Sequence, residues 1–193
     1  MSTLTPSSDL VSQAGRAAHD LGLAAIVGGN LFGRMALHPA VERISDPAER
    51  GEVVNAAWRR YGTVNSLGLA ALTAGWAGAR AEEVRGRGRL TARERTLARA
   101  KDALVGTVLV TGLATAAEGM RFARQAPGGA VPLADSSHPL PSTPAPAARL
   151  KRRLNVLGAV AIGAEAALVA VNAALSQEGL RRSPLRRSVR RWG

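Results

Sequence analysis

The apolar residues of this chain are gathered into four runs, separated by charged or proline-rich stretches. Tyr61 to Ala79, YGTVNSLGLAALTAGWAGA, carries no charged residue, and a helix of about 20 residues crosses a hydrocarbon layer of about 30 Å. Leu154 to Gln177 is uncharged except for Glu165 near its middle. Ala103 to Ala117 is shorter, but Lys101 and Arg121 can snorkel, which extends the buried length to Leu97 and Phe122. Leu21 to Gly33 is the shortest; Met35, Ala36 and Leu37 continue it where the stem of Arg34 bends toward headgroups or finds a partner. A water-soluble four-helix bundle would carry charges every few residues along each helix, and the run ending at Ala79 does not. The pattern predicts an all-α fold, a four-helix transmembrane bundle forming a single membrane domain over 1–193, with spans near 19–38, 61–80, 100–122 and 154–177.

Boundary signals extend the helices past these runs. Asp46-Pro47-Ala48-Glu49 supplies an N-cap acid and a proline at the first helical position, so a helix starts near Pro47 and runs unbroken to about Ala79. Its first part is amphipathic, with Trp58 as an interfacial anchor. Thr91-x-x-Glu94 is a capping box that starts another helix near Ala92. The proline-rich stretch 125–148 reads as a flexible, extended loop in which His138 needs no role. After Gly179, Leu185, Val189 and Trp192 recur at i, i+4 and i+7 with arginines on the other side. That Arg-rich amphipathic C-terminal tail, 181–193, would lie in the headgroup plane, with Arg182, Arg186, Arg187, Arg190 and Arg191 on anionic lipid.

Charge narrows the class of partner. Lys and Arg total 26 against 14 Asp and Glu, a net charge of +12, which calls for a polyanion. The basic residues sit beside the apolar runs rather than in a separate domain, which favours an anionic lipid bilayer over nucleic acid. A peripheral, basic, nucleic-acid-binding helical protein is the reading this arrangement disfavours. The loop from Arg80 to Lys101 is the richest in arginine and lies on the side of both termini, which predicts a multi-pass cell-membrane protein with both termini cytoplasmic; Arg149 to Arg153 then face outward, against the positive-inside rule. With no Cys and only 3 % aromatic residues, the chain offers no thiolate chemistry and a thin soluble core, which points away from a globular enzyme. No nucleophile elbow, phosphate loop, H-E-x-x-H or dinucleotide fingerprint is present, so no catalytic residue, cofactor or metal is assigned. His19 and His38 would stand about 28 Å apart on one helix and cannot share an ion; interfacial capping suits them.

The polar residues inside the apolar runs are the candidate site. An ionised carboxylate at mid-depth is expensive, so Glu165 needs partners, and Asn30 and Arg34 on the first run are the expected ones. Gly158, Glu165 and Asn172 lie seven apart and share one helix face, a small and polar stripe suited to facing another helix. Glu165 is read as a polar clamp that fixes helix packing in preference to a proton or ion relay, because a relay would need more than one acid at depth. Gly29 with Gly33, Gly75 with Ala79, the ladder Ala103, Thr107, Thr111 and Thr115, and Ala159 with Gly163 and Ala167 are small-residue faces for close helix packing, within one copy or between copies. The function expected is that of a membrane scaffold or interaction partner, for itself or for another membrane protein; the alternative is a small proton- or ion-coupled transporter component using Glu165.

The segment GGNLFGRMALHPAVERISDPAERGEVVNAAWRRYGTVN, Gly28 to Asn65, resembles the first helix, connecting loop and start of the second helix in small four-helix bacterial integral membrane proteins of unassigned function. The resemblance rests on glycine, proline and Trp-Arg-Arg placement, and it implies an integral membrane bundle without assigning a catalytic or binding residue.

Overall fold

The computed structural model describes residues 6–85 and 90–182. Among these residues the chain is all-helical, with four long helices. Helix α1, Pro6–Phe32, passes through a π-helical turn at Gly33–Leu37 into the short α2, His38–Val41. Three more helices follow, α3 at Pro47–Arg85, α4 at Ala92–Ala123 and α5 at Ala145–Arg182. Their caps are the expected ones. Asp46 Oδ1 accepts from the Ala48 amide at 2.7 Å, and at Thr91 both halves of the capping box with Glu94 are formed.

Two antiparallel pairs make the bundle, α1 against α3 and α4 against α5. The first pair is joined by glycines at heptad spacing. Gly15 and Gly22 of α1 lie against Gly75 and Gly68 of α3, and a Cβ at Gly22 would meet the Gly68 carbonyl at 2.5 Å and the Leu72 amide at 2.8 Å. One heptad on, the Tyr61 ring lies over Gly29 and the Trp58 ring over Gly33. At Gly15, Gly22, Gly68 and Gly75 the backbones come close enough that a methyl group on Gly22 or Gly75 would press on the facing backbone, which is the packing logic of small-residue helix pairs. The second pair is fastened near both ends by ion pairs, Arg93 to Glu178 at 3.0 Å and Arg153 to Glu118 at 3.8 Å. The pairs meet over one core of Leu23, Ile26, Leu69, Leu72, Val105, Val108, Ala164 and Leu168. Trp76 and Arg80 of α3 both donate to Asp102 of α4 and tie the two pairs together at the far end.

The proline-rich segment differs from expectation. It is a packed cap: a 3₁₀ turn at Pro127–Gly129, an isolated bridge between Leu133 and Pro139, and buried Val131 and Leu133 against Phe122 and Ala147. Proline forbids helix and central strand but not burial, and the Arg50 guanidinium holds the cap by donating to the carbonyls of Leu133 and Ala134. Gly51 lets the cap backbone touch α3, and Asn55 donates to the Gly129 carbonyl. The segment also ends earlier than its expected 148, since α5 begins at Ala145 with Pro146 in its first turn, where a missing amide costs nothing. His138 has a role after all, its Nδ1 lying 2.8 Å from the Asp135 carboxylate. The amphipathic tail lies outside the described residues, apart from the backbone of α5 to Arg182.

Gly22→Ala is expected to destabilise the protein by about 1–3 kcal/mol, since its methyl would press on backbone atoms that cannot move aside. Gly78→Ala, on the same pair of helices but facing open space, should stabilise by about 0.5–1 kcal/mol. Denaturation midpoints of the two variants against wild type test this; equal shifts would contradict the close-approach seam.

Candidate functional site

The face of α5 that carries Gly158, Glu165 and Asn172 does turn toward α1, and Lys151 extends it by one more heptad. Four levels of contact follow along this seam. At the far end, Asn172 Nδ2 lies 3.2 Å from His19 Nε2, while His19 Nδ1 lies 2.9 Å from the Leu72 carbonyl, so one imidazole joins α5, α1 and α3. His19 is buried, at 3 % exposure, and not the interfacial cap expected of it. Next, Asn30 Nδ2 donates to Glu165 Oε1 at 2.7 Å. Glu165 is 1 % exposed, and its Oε2 is buried without a partner. Tyr61, lying over Gly29 beside this pair, donates its hydroxyl to the carbonyls of Ala25 and Ile26, at 3.0 and 3.1 Å.

Arg34, the other partner expected for Glu165, bonds elsewhere. Its Nη2 donates to the Asn155 carbonyl at 3.3 Å and lies against Gly158, and a Cβ there would meet the guanidinium at 3.1 Å. The π turn accounts for this, because Arg34 lies inside it, beyond the α-helical register that carries Asn30. Of the glycines expected to pack, Gly29, Gly33 and Gly75 sit in the α1–α3 seam, whereas Gly163 is exposed with nothing within 4 Å. The threonine ladder satisfies two of its three hydroxyls within α4, and the Thr115 hydroxyl is buried without a partner among the described residues. Thr107 donates to the Ala103 carbonyl and Thr111 to that of Thr107.

The fourth level lies under the cap and was not singled out from the sequence. Lys151 is only 5 % exposed, with its Nζ 5.9 Å from the Phe122 ring centroid. Burial pushes its ammonium down to about 8; Asp135 opposes that shift and Arg34 adds to it. Asp135 is itself held below the ordinary carboxylate range: burial acts upward, but hydrogen bonds from His138 and the Ser137 and His138 amides prevail. Asn155 Nδ2 donates to the Ser137 carbonyl and Ser136 Oγ to Glu42, so the cap is stitched to both α5 and the end of α2. A sequence signal for Lys151 did exist, in its seven-residue spacing from Gly158.

Between the His19 and Asn30 levels the seam parts into a groove of about 530 Å³, lined by Leu23, Ala24, Val27, Val169 and Ala173, with Asp20, Asn172 and Ser176 as its polar members. Among the described residues no three His, Asp or Glu side chains converge as a metal ion would require. Comparison with known proteins returns no match among protein families, curated proteins or solved structures.

The titration of Lys151 has a sign that can be worked out. Its folded value of about 8 lies below the unfolded 10.5, so below pH 8 the amine is charged in both states and the cost of burying it is fully present. Between pH 8 and 10.5 the unfolded chain holds a proton that the folded one has released, and stability rises with pH by up to about 3 kcal/mol. Lys151→Met should remove that rise and be the more stable protein at pH 7. Denaturant titrations of both proteins from pH 7 to 10.5 measure it, and parallel curves would refute it.

Proposed function

We propose that this protein is a multi-pass integral membrane bundle that serves as a scaffold or interaction partner, with the α5 stripe clamping α1 in place. The observation that carries the membrane reading is what the bundle leaves outside. Helices α4, over Ala92–Ala123, and α5, over Ala145–Gly179, are long and apolar enough to cross a membrane, and only 17 % and 22 % of their most apolar windows are buried inside the bundle. The core helix of a water-soluble protein would bury most of such a window. The outward apolar residues come from all four long helices, among them Leu21 at 72 %, Leu67 at 67 %, Val110 at 66 % and Val156 at 63 % exposure. An apolar exterior of this extent needs an apolar solvent or a partner.

Four spans are supported by the levels of the charges. Exposed Arg34, Arg59, Arg60, Arg121, Arg152 and Arg153 cluster toward the cap end, and Asp20, Arg80, Lys101 and Asp102 toward the other. Between them α1 and α3 run uncharged from Leu21 to Gly33 and from Tyr61 to Ala79. An even number of spans puts both termini on one face, and the arginine-rich α3–α4 connection makes that face the cytoplasmic one. Anionic lipid is then the natural neighbour of both charged ends.

Washing membranes from expressing cells with alkaline carbonate is expected to leave the protein in the pellet, and detergent should be needed to disperse it. Release by carbonate or high salt would support the peripheral nucleic-acid-binding reading instead, because screening dissolves charge-held contacts but not embedded helices.

The unpartnered Oε2 of Glu165 favours one second reading, a proton- or ion-coupled transporter component. Glu165→Gln keeps an acceptor for Asn30 and so separates the two. A clamp leaves thermal stability within about 1 kcal/mol of wild type, and proteoliposomes of both proteins show no pH-driven flux. A flux in wild type that Glu165→Gln abolishes would establish the transporter.

A further inference from the structure

Where α5 begins, three basic side chains, Lys151, Arg34 and His38, lie within electrostatic reach of one another, and the one carboxylate facing two of them is already engaged. Lys151 is 95 % shielded, yet among the described residues it has neither a hydrogen-bond nor an ion-pair partner, only the Phe122 ring. Lysines this buried are ordinarily paired, since an uncompensated charge is strongly destabilising. Facing it from the π turn and the start of α2 are Arg34 and His38, close enough that the charges of Lys151 and Arg34 both act on His38. Arg34 makes a single 3.3 Å bond to a carbonyl and stays exposed at the rim, while His38 Nε2 is buried without a partner. The one carboxylate acting on both Lys151 and His38 is Asp135, and it is already engaged: Oδ1 accepts from the Ser137 and His138 amides at 2.7 and 2.8 Å, and Oδ2 faces His138 Nδ1 at 2.8 Å.

We propose that Lys151, Arg34 and His38 form a binding site for a tetrahedral oxyanion of the phosphate class, seated between the π turn and the first turns of α5 under the proline-rich cap. The donor set selects the ligand. Three donors approach from two helices, and a phosphate group offers an oxygen to each while accepting the guanidinium fork in two-point geometry. A carboxylate has only two oxygens to share. The π turn brings Arg34 and His38 to this site, and such widened turns recur where a helix has to present functional side chains. The cap closes one side, and the exposed Arg34 leaves the other open.

The phosphate could come from a lipid headgroup or from solution, and two arms of one experiment distinguish them. In the first, the full chain in maltoside micelles is titrated with inorganic phosphate against sodium chloride of equal ionic strength. In the second, it is placed in phosphatidylcholine discs with and without phosphatidic acid. Wild type should gain about 5–10 °C in Tm once the anion stands about a hundredfold above Kd. Lys151→Met and Arg34→Gln should lose that gain, and Arg43→Gln, an exposed arginine of the same end, should keep it. A gain in micelles assigns a soluble anion, and a gain only with phosphatidic acid assigns a headgroup. No gain in either arm, or an undiminished gain in Lys151→Met, overturns the site. If Lys151→Met does not fold, Arg34→Gln against Arg43→Gln decides in the same way.

Discussion

A buried polar side chain must find a partner or leave its desolvation unrepaid, and that constraint governs how α5 meets α1. The stripe Lys151, Gly158, Glu165, Asn172 repeats every seven residues and so stays on one side of the helix. Three of its four members can hydrogen-bond. An apolar neighbour at any of these levels would strand a charge or an amide where no water reaches, at a cost of about 1–3 kcal/mol for each neutral group and more for a charged one. Helix α1 answers the stripe with His19 for Asn172 and Asn30 for Glu165, and the π turn after it with Arg34 across Gly158. A one-turn slip of α1 would break all three matches together. The seam thus sets register, which apolar packing alone fixes only loosely.

The close approach of α1 and α3 serves the same end. Glycines at 15, 22, 68 and 75 bring the two backbones close together. With that seam thin, His19 reaches the Leu72 carbonyl on α3 while its other nitrogen meets α5. A thicker seam would carry the carbonyl out of range. Leu23 and Ile26 of α1 and Leu69 and Leu72 of α3 face the core, whereas Leu21, Leu31 and Phe32 of α1 and Val64 and Leu67 of α3 are exposed. Polar residues thus share the interior with the apolar core, while large apolar side chains also cover the outside, the feature on which the proposed membrane reading rests.

Helix starts, helix count and the polar face of α5 were legible in the sequence because each is local. Thr91 with Glu94 and Asp46 with Pro47 act within one turn, and a seven-residue repeat needs only its own helix. The pairing of Asn30 with Glu165 was legible for a different reason: few groups at that depth could satisfy a carboxylate. The fate of Arg34 was not, since it depends on a π turn for which Gly33-Arg34-Met35 carries no local mark. The cap's order is not legible locally because it comes from contacts distant in sequence, Arg50 with Leu133 and Asn55 with Gly129. Proline content reports what backbone a segment cannot adopt and says nothing of what holds it down. Lys151 was hidden by the same distance, being buried in part by that cap.

Whether Glu165 clamps or conducts is a question of spacing. A relay passes a proton between groups within hydrogen-bond reach of one another, directly or through one water. Along the seam the next polar residue toward the far end is Asn172, seven residues on and about 10 Å away by helical rise. The stretch between is apolar, with Leu168 wholly buried and Leu23, Val27 and Val169 lining the groove. In the other direction the guanidinium of Arg34 lies toward the cap, fastened to the Asn155 carbonyl rather than to Glu165. Among the described residues Glu165 therefore has one hydrogen-bond partner, Asn30, and this spacing favours the clamp we propose over a relay. The three basic groups under the cap, by contrast, lie within electrostatic reach of each other and open at Arg34, and it is there that we propose an anion binds.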